Sequence, residues 1–209
     1  MANLRTITNF KSALRGGGAR PNLFEVDITG WPGGENMGDF NNDSKEEFQF
    51  LCKAAALPAS NITPIEIPFR GRTLKVAGDR TFEPWTVTII NDEAFNLRSA
   101  FEGWMNSIND LSHATGITNP ASYMTNAYVV QLGRGKARNA KTHPKNNKQQ
   151  QVLRSYKFTG IFPTEVGAID LSYDSTDTIE EFTVTFQVQY FTVGETDTSA
   201  TGSFDETVK

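Results

Sequence analysis

The chain has 209 residues, 38% hydrophobic and 21% charged, which suits one packed domain and is unlike a disordered segment. A net charge of −4 argues against a general nucleic-acid binder, and fifteen Phe with three Trp favour sheet. A lone cysteine, Cys52, excludes an intrachain disulfide framework, and no run approaches the ~18 apolar residues of a membrane helix.

The opening MANLRTITNFKSALRGGG lacks the apolar centre of a secretory signal, so a soluble protein made in a cytoplasm is expected. Residues 1–22 read as a flexible arm ending in Gly16-Gly17-Gly18 and Pro21. Leu23 to Ile28 alternates as a strand, with Phe24, Val26 and Ile28 on one face. Residues 30–45 are loop by composition, Phe48 to Ala54 reads as a strand, and Pro58 to Pro64 breaks the pattern. Ile65–Ile67 and Thr73–Ala77 flank Phe69-Arg70-Gly71-Arg72, which predicts a projecting hairpin. Trp85 to Ile90 is a strand. Asp92 is the expected cap of a helix whose apolar face carries Leu97, Phe101, Trp104, Met105 and Ile108.

Residues 109–122 read as loop, and Tyr123 to Leu132 as a strand. Arg154 to Phe162 forms another, with Tyr156, Phe158 and Phe162 on one face. Glu180 to Phe191 alternates most clearly: Phe182, Val184, Phe186, Val188 and Tyr190 against Glu181, Thr183, Thr185, Gln187 and Gln189. The expected fold is mainly β: an antiparallel sandwich or barrel with one packed helix. Residues 23–193 would form a single domain, with a basic loop insertion at 133–151 and an acidic mobile tail at 194–209.

Charge is unevenly placed. Arg134, Lys136, Arg138, Lys141, Lys145 and Lys148 lie together with no acid between them. The rest of the chain carries 24 acids against 14 bases, a net of −10. That basic run admits three readings: a solvated loop, a dock for an acidic protein, or a nucleic-acid contact. It lacks the interleaved aromatics that stack bases.

Catalytic constellations are not legible. His113 and His143 lie in separate loops without ligand spacing, and Cys52 reads as a small buried hydrophobe with no positioned base. Gly16-Gly17-Gly18 is not followed by the Gly-Lys-Ser/Thr of a phosphate loop, and Gly133-Arg134-Gly135 meets Arg138 where a third glycine belongs. Asp170, Asp174 and Asp177 lack the turn glycine of a calcium loop. Glu180 and Glu181 are adjacent on a strand and point to opposite faces. No catalytic residue, cofactor or metal is expected.

Two long blocks carry a resemblance. LPASNITPIEIPFRGRTLKVAGDRTFEPWTVTIINDEAFNLRSAFEGW (57–104) and SYKFTGIFPTEVGAIDLSYDSTDTIEEFTVTFQVQYF (155–191) closely resemble the tail tube protein of contractile-tailed, T4-like bacteriophages. The resemblance implies hexameric rings stacked into a tube, with a continuous inner β-barrel around an open lumen that lets DNA pass into the host. It implies self-assembly and contacts with a sheath, a baseplate initiator, a tape-measure protein and a tail terminator. The virion is the implied location. A phage-derived injection system uses the same tube, and a β-sandwich binding module is the rival outside the family.

The same resemblance assigns expected roles. Phe69, Arg70, Arg72, Lys75, Asp79, Arg80, Phe82, Glu83 and Trp85 mix charges with large aromatics, as an inter-subunit stacking surface would. Trp85 could equally begin a core strand. Glu66, Glu181, Thr183, Thr185, Gln187 and Gln189 are candidates to line the lumen, where acidic and polar groups would repel phosphates, with outer surface the alternative for the same faces. Where a short turn is expected in the family, this chain has the basic 133–151 loop. A cationic loop inside the bore would hold DNA, so it is expected to face the sheath.

Overall fold

Alternating apolar residues give a strand one apolar face that needs cover, and in the main sheet two helices supply it. The computed structural model describes residues 6–14, 18–29, 42–113, 115–136 and 150–194, with backbone alone at 42–44, 135–136 and 150–151. They fall in two compact units, one of Val26–Tyr128 with Lys157–Thr192, the other of Met1–Glu25, Val129–Tyr156 and Val193–Lys209.

The sheet order is β1 (Phe24–Thr29), β6 (Thr125–Lys136), β7 (Gln150–Val166), β8 (Glu181–Gln187), β5 (Trp85–Ile90), β2 (Cys52–Ala55). Strand β9 (Tyr190–Gly194) pairs with β7 off this path. The centre is the antiparallel β5–β8 ladder, running from Trp85 opposite Phe186 to Ile90 opposite Glu181. Its inner face places Trp85, Val87, Ile89, Phe182, Val184 and Phe186 at 1% exposure or less. Trp85 stacks on Phe158 at 4.7 Å, and Phe186 meets Phe101 and Trp104 of α3 (Asn96–Ile108) at 5.9 and 6.1 Å. Such pairs add about 1 kcal/mol each beyond the area they bury.

Helix α3 buries Leu97, Phe101 and Trp104, as the sequence pattern predicts, and Ala100, which it does not include, while Met105 and Ile108 are half-buried. Its start differs from the expectation. Asp92 is not the cap; Phe95, in the left-handed region at φ 55°, precedes the first turn and makes no side-chain cap bond. The Asp92 carbonyl instead accepts the Phe95 N–H at 3.1 Å, so Asp92 closes a turn that leads into the helix.

Four further expectations are corrected. Phe48–Leu51 is helical, the end of α2 (Asn42–Leu51), and only Cys52–Ala55 is strand. Lys45, Glu46 and Glu47 are good helix formers, and Phe48 and Cys52, four apart, are the buried pair while Phe50 is exposed. The Pro58–Pro64 break is smaller than expected, since β3 (Ser60–Phe69) already includes Thr63 and Pro64. Glu180–Phe191 is two strands, and Tyr190 is exposed rather than inward. The reason lies across the sheet, at Gly160. Its φ of +64° shifts the parity of β7, so that Phe158 and Ile161 are buried and Phe162 is not. The Gln189 side chain lies where a Cβ at Gly160 would stand, and the Gln189 N–H turns to the Thr159 carbonyl. Finally, α4 (Pro120–Tyr123) is a single turn at the end of the expected 109–122 loop that also takes Tyr123 from the expected strand, and the Tyr123 carbonyl accepts Trp104 Nε1–H at 2.9 Å.

The smaller unit holds helix α1 (Ile7–Ala13) within the expected arm, capped by Thr6, and the remaining residues of β1, β6, β7 and β9. Val129, Val130 and Leu132 are buried there, and Gln131 Nε2 donates to the Arg20 and Leu23 carbonyls, both at 2.7 Å. The 30–45 loop lies mostly, and the tail almost wholly, outside the described residues.

Candidate assembly interface

The predicted hairpin exists and is longer than its sequence signal. Strands β3 and β4 (Arg72–Phe82) form a separate two-stranded sheet from Ser60 opposite Phe82 to Phe69 opposite Arg72. Arg70 and Gly71 are the two turn residues, at φ 46° and 80°, the all-positive pair that matches the twist of adjoining strands. The hairpin grows out of the buried sheet. Ala55 pairs with Val87, the Ala56 N–H reaches the Thr86 carbonyl at 3.4 Å, and the Glu83 N–H reaches the Ala59 carbonyl at 3.2 Å. Trp85 Nε1 donates to the Ala56 carbonyl at 3.0 Å and fixes the root.

Register decides which side chains share a face. Ile65 stands opposite Val76, Ile67 opposite Leu74 and Phe69 opposite Arg72, so five large apolar residues line one face. Every one of them is exposed, from 43% at Val76 to 67% at Phe69. The other face carries Pro64, Ala77, Pro68, Thr73 and the pair Glu66 Oε1–Lys75 Nζ at 3.4 Å. A two-stranded ribbon is at best marginally stable in water. An apolar stripe on one is a surface awaiting cover.

The nine residues expected at the stacking surface separate into three groups. Trp85 takes the second of its two expected readings: at 1% exposure it is core, the first residue of the buried ladder. Phe82 is half-buried, edge-on to Phe191 at 5.4 Å, and Glu83 accepts a hydrogen bond from Asn61 Nδ2. Phe69, Arg70, Arg72, Lys75, Asp79 and Arg80 are exposed on the hairpin, with Arg70 lying over the Phe69 ring at 5.5 Å. The charge-and-aromatic mixture at 79–85 therefore marks the junction where buried sheet becomes exposed ribbon. Sequence reasoning named the charges and missed Ile65, Ile67, Leu74 and Val76. The signal was present: period-two alternation on both sides of Phe69-Arg70-Gly71-Arg72.

The outer face of the main sheet is polar. Thr86 and Thr185 touch hydroxyl to hydroxyl at 3.4 Å, and Thr164 Oγ1 donates to the Thr185 carbonyl at 3.1 Å. Glu181, Thr183, Gln187 and Gln189 are exposed and Thr185 half-buried. Lys53 Nζ lies 2.5 Å from Glu181 Oε1, so these two opposite charges on the face are paired with each other. Of the basic run, Arg134 is exposed and Lys136 is strand backbone; Arg138, Lys141, Lys145 and Lys148 lie outside the described residues. Cys52 is buried, and its thiol is pushed up to about 12 by desolvation.

The family model for the phage tail tube protein matches residues 19–194. The chain belongs to the phage tail tube protein family. It is 38% identical to tail tube protein gp19 of Enterobacteria phage T4 over 173 residues, 83% of this chain and 90% of that one. A tail tube protein of Serratia phage KSP90 is 24% identical over 90% of this chain and 96% of its own. The fold is shared with a chain of the anti-feeding prophage baseplate, at TM-score 0.54 and 10% identity over 84% of this chain and 95% of that one. This is thus a tail tube protein of the T4-like kind, a structural component of a contractile-tailed virion. No helix of the tail tube protein, among the described residues, is long and apolar enough to cross a membrane.

Proposed function

We propose that six copies of the chain close into a ring, that rings stack into a hollow tube inside a contractile sheath, and that DNA passes through the bore. The observation that carries this reading is the β3–β4 hairpin, whose apolar face is exposed in the single chain. Full burial of a large apolar side chain is worth about 1.5–3 kcal/mol, so covering five half-exposed ones contributes on the order of 5 kcal/mol per subunit. Strands β1 and β2 end the sheet order among the described residues, and neighbours in a ring would pair with such edges.

The bore is lined, in this reading, by the polar face that carries Glu181, Thr183, Thr185, Gln187 and Gln189, with Glu66 on the hairpin. DNA presents a charge about every 1.7 Å of axis, and a wall without free cations gives it nothing to hold. The Lys53–Glu181 pair fits that requirement. The basic run from Arg134 to Lys148 faces outward to sheath. The role is structural, and the further partners are a baseplate initiator, a tape-measure protein and a tail terminator. Fold likeness to a tube-terminating cap of the anti-feeding prophage (TM-score 0.52, 19% identity) supports a shared tube architecture. The 38% identity to the T4 protein favours a genome-carrying phage over an injection device.

Negative-stain microscopy of the purified protein across a concentration series tests the assembly. Rings or hollow tubes with six-fold end views are expected, with a baseplate seed added if nucleation is required. Monomers that persist on the seed would contradict it. For the bore, Thr183→Lys with Gln187→Lys should leave tubes intact and slow DNA ejection from reconstituted particles; unchanged ejection would remove these residues from the lumen.

A further inference from the structure

We propose that the hairpin tip, Phe69 to Arg72, seats in a cleft formed by residues 168–181 of a neighbouring copy of the chain. This rests on the reading of the protein as a stacked tube subunit and names the receptor for its hairpin.

The cleft lies in the connection from β7 to β8 and has a volume of about 620 Å³. Its lining includes Leu171, Tyr173 and Ile179, which are 80, 105 and 72% exposed. Large apolar side chains standing this far into water on a loop form a further uncovered apolar surface among the described residues. The loop is held at both ends. The Gly167 N–H donates to the Thr183 carbonyl at 2.7 Å, and Glu180 accepts from the Asn91 N–H at 2.9 Å and from Asn91 Nδ2 at 3.1 Å. Between these anchors, Ser172 organises a turn by accepting the Asp174 and Ser175 N–H groups. The ends of the loop and one turn within it are therefore fixed before docking, which lowers the backbone entropy lost on binding.

Charge selects the occupant. Residues 168–181 hold Asp170, Asp174, Asp177, Glu180 and Glu181 and no base. Glu180 is engaged by Asn91 and Glu181 by Lys53, whereas Asp170, Asp174 and Asp177 form no ion pair among the described residues. Residues 69–75 hold Arg70, Arg72 and Lys75 and no acid. Lys75 is engaged by Glu66, which leaves the two arginines of the tip free of ion pairs among the described residues. An apolar-and-cationic tip and an apolar-and-anionic cleft on one chain are complementary. Tip-to-tip pairing would set arginine against arginine. Because tip and cleft are different surfaces, the contact is heterologous and propagates from copy to copy, as a stacked polymer requires.

The test is a cysteine pair, Arg72→Cys with Tyr173→Cys, in tubes grown from the full chain. Cys52 is buried and does not compete for the cross-link. Mild oxidation of tubes should convert the double variant into a ladder of covalent multimers on a denaturing gel, while each single variant stays monomeric. Tubes that form normally and yield only monomer bands would overturn the docking and leave the tube reading standing. If the wild-type chain forms no tubes even on a baseplate seed, the tube reading fails first and takes the docking with it. Should the double variant not polymerise, hydroxyl-radical footprinting of wild-type tubes decides. Phe69 and Tyr173 should both lose most of their monomer reactivity, and either one keeping it would overturn the contact.

Discussion

Two regions of this chain, each a pair of strands, have the same kind of sequence and opposite fates. In Trp85–Ile90 and Glu181–Gln187, apolar residues alternate with threonines and acids, and the apolar half is sealed to 1% exposure or less beneath α3. In Ile65–Phe69 and Arg72–Val76, apolar residues alternate with prolines and charges, and the apolar half faces water. Alternation specifies a strand with one apolar face. It does not specify whether the cover comes from the same chain. In the first region Phe101 and Trp104 supply it; in the second, a further copy does, on the reading proposed above.

The comparison predicts that loss of an apolar side chain acts at different stages in the two regions. Phe186→Ala removes a ring packed against Trp85, Phe101 and Trp104, and should lower the stability of the monomer by about 3–5 kcal/mol, read as a fall in its denaturant midpoint. Ile67→Glu should leave that midpoint within about 0.5 kcal/mol, as for an exposed site, while abolishing polymerisation in light scattering. A monomer equally damaged by both would erase the distinction.

Gly71→Ala sharpens it further. At φ +80° a Cβ costs about 1 kcal/mol, so the hairpin alone should suffer and the critical concentration for tube growth should rise about fivefold with monomer melting unmoved. Smaller still is Glu181→Gln, which removes an exposed ion pair and should shift monomer stability by less than about 1 kcal/mol in urea titration.

The smallest expected effect lies at Asp110. The Ser112 N–H, then His113 and the Ser112 hydroxyl, hold its carboxyl below the ordinary 3.8. Its folded value is depressed, so its contribution is present above pH 3.8 and fades as pH falls through the lowered value. Asp110→Asn should leave assembly at pH 7 unchanged and alter only the acid end of a melting profile.

Much of this fold was legible in the residues. Strands centred on Trp85–Ile90 and Phe182–Phe186 follow from alternation, nearly complete in the first and unbroken in the second, and α3 from apolar spacing. The hairpin was announced by a turn between two alternating runs. What was missed depended on long-range partners. Phe48 and Phe50 alternate like strand residues but belong to a helix whose charged neighbours were discounted. The break at Gln189 is dictated by Gly160, some thirty residues earlier on the facing strand. At the interface, charges drew notice because buried charge is costly, whereas Ile65, Ile67, Leu74 and Val76 resembled ordinary core. Only the register of β3 against β4 puts them on one uncovered face.

Electron cryomicroscopy of tubes grown from the wild-type chain tests the central claim most directly, by resolving residues 60–82. The expected map has six-fold rings in which Ile65, Ile67, Leu74 and Val76 are buried against another subunit. A tube in which that face still looks onto solvent would contradict it.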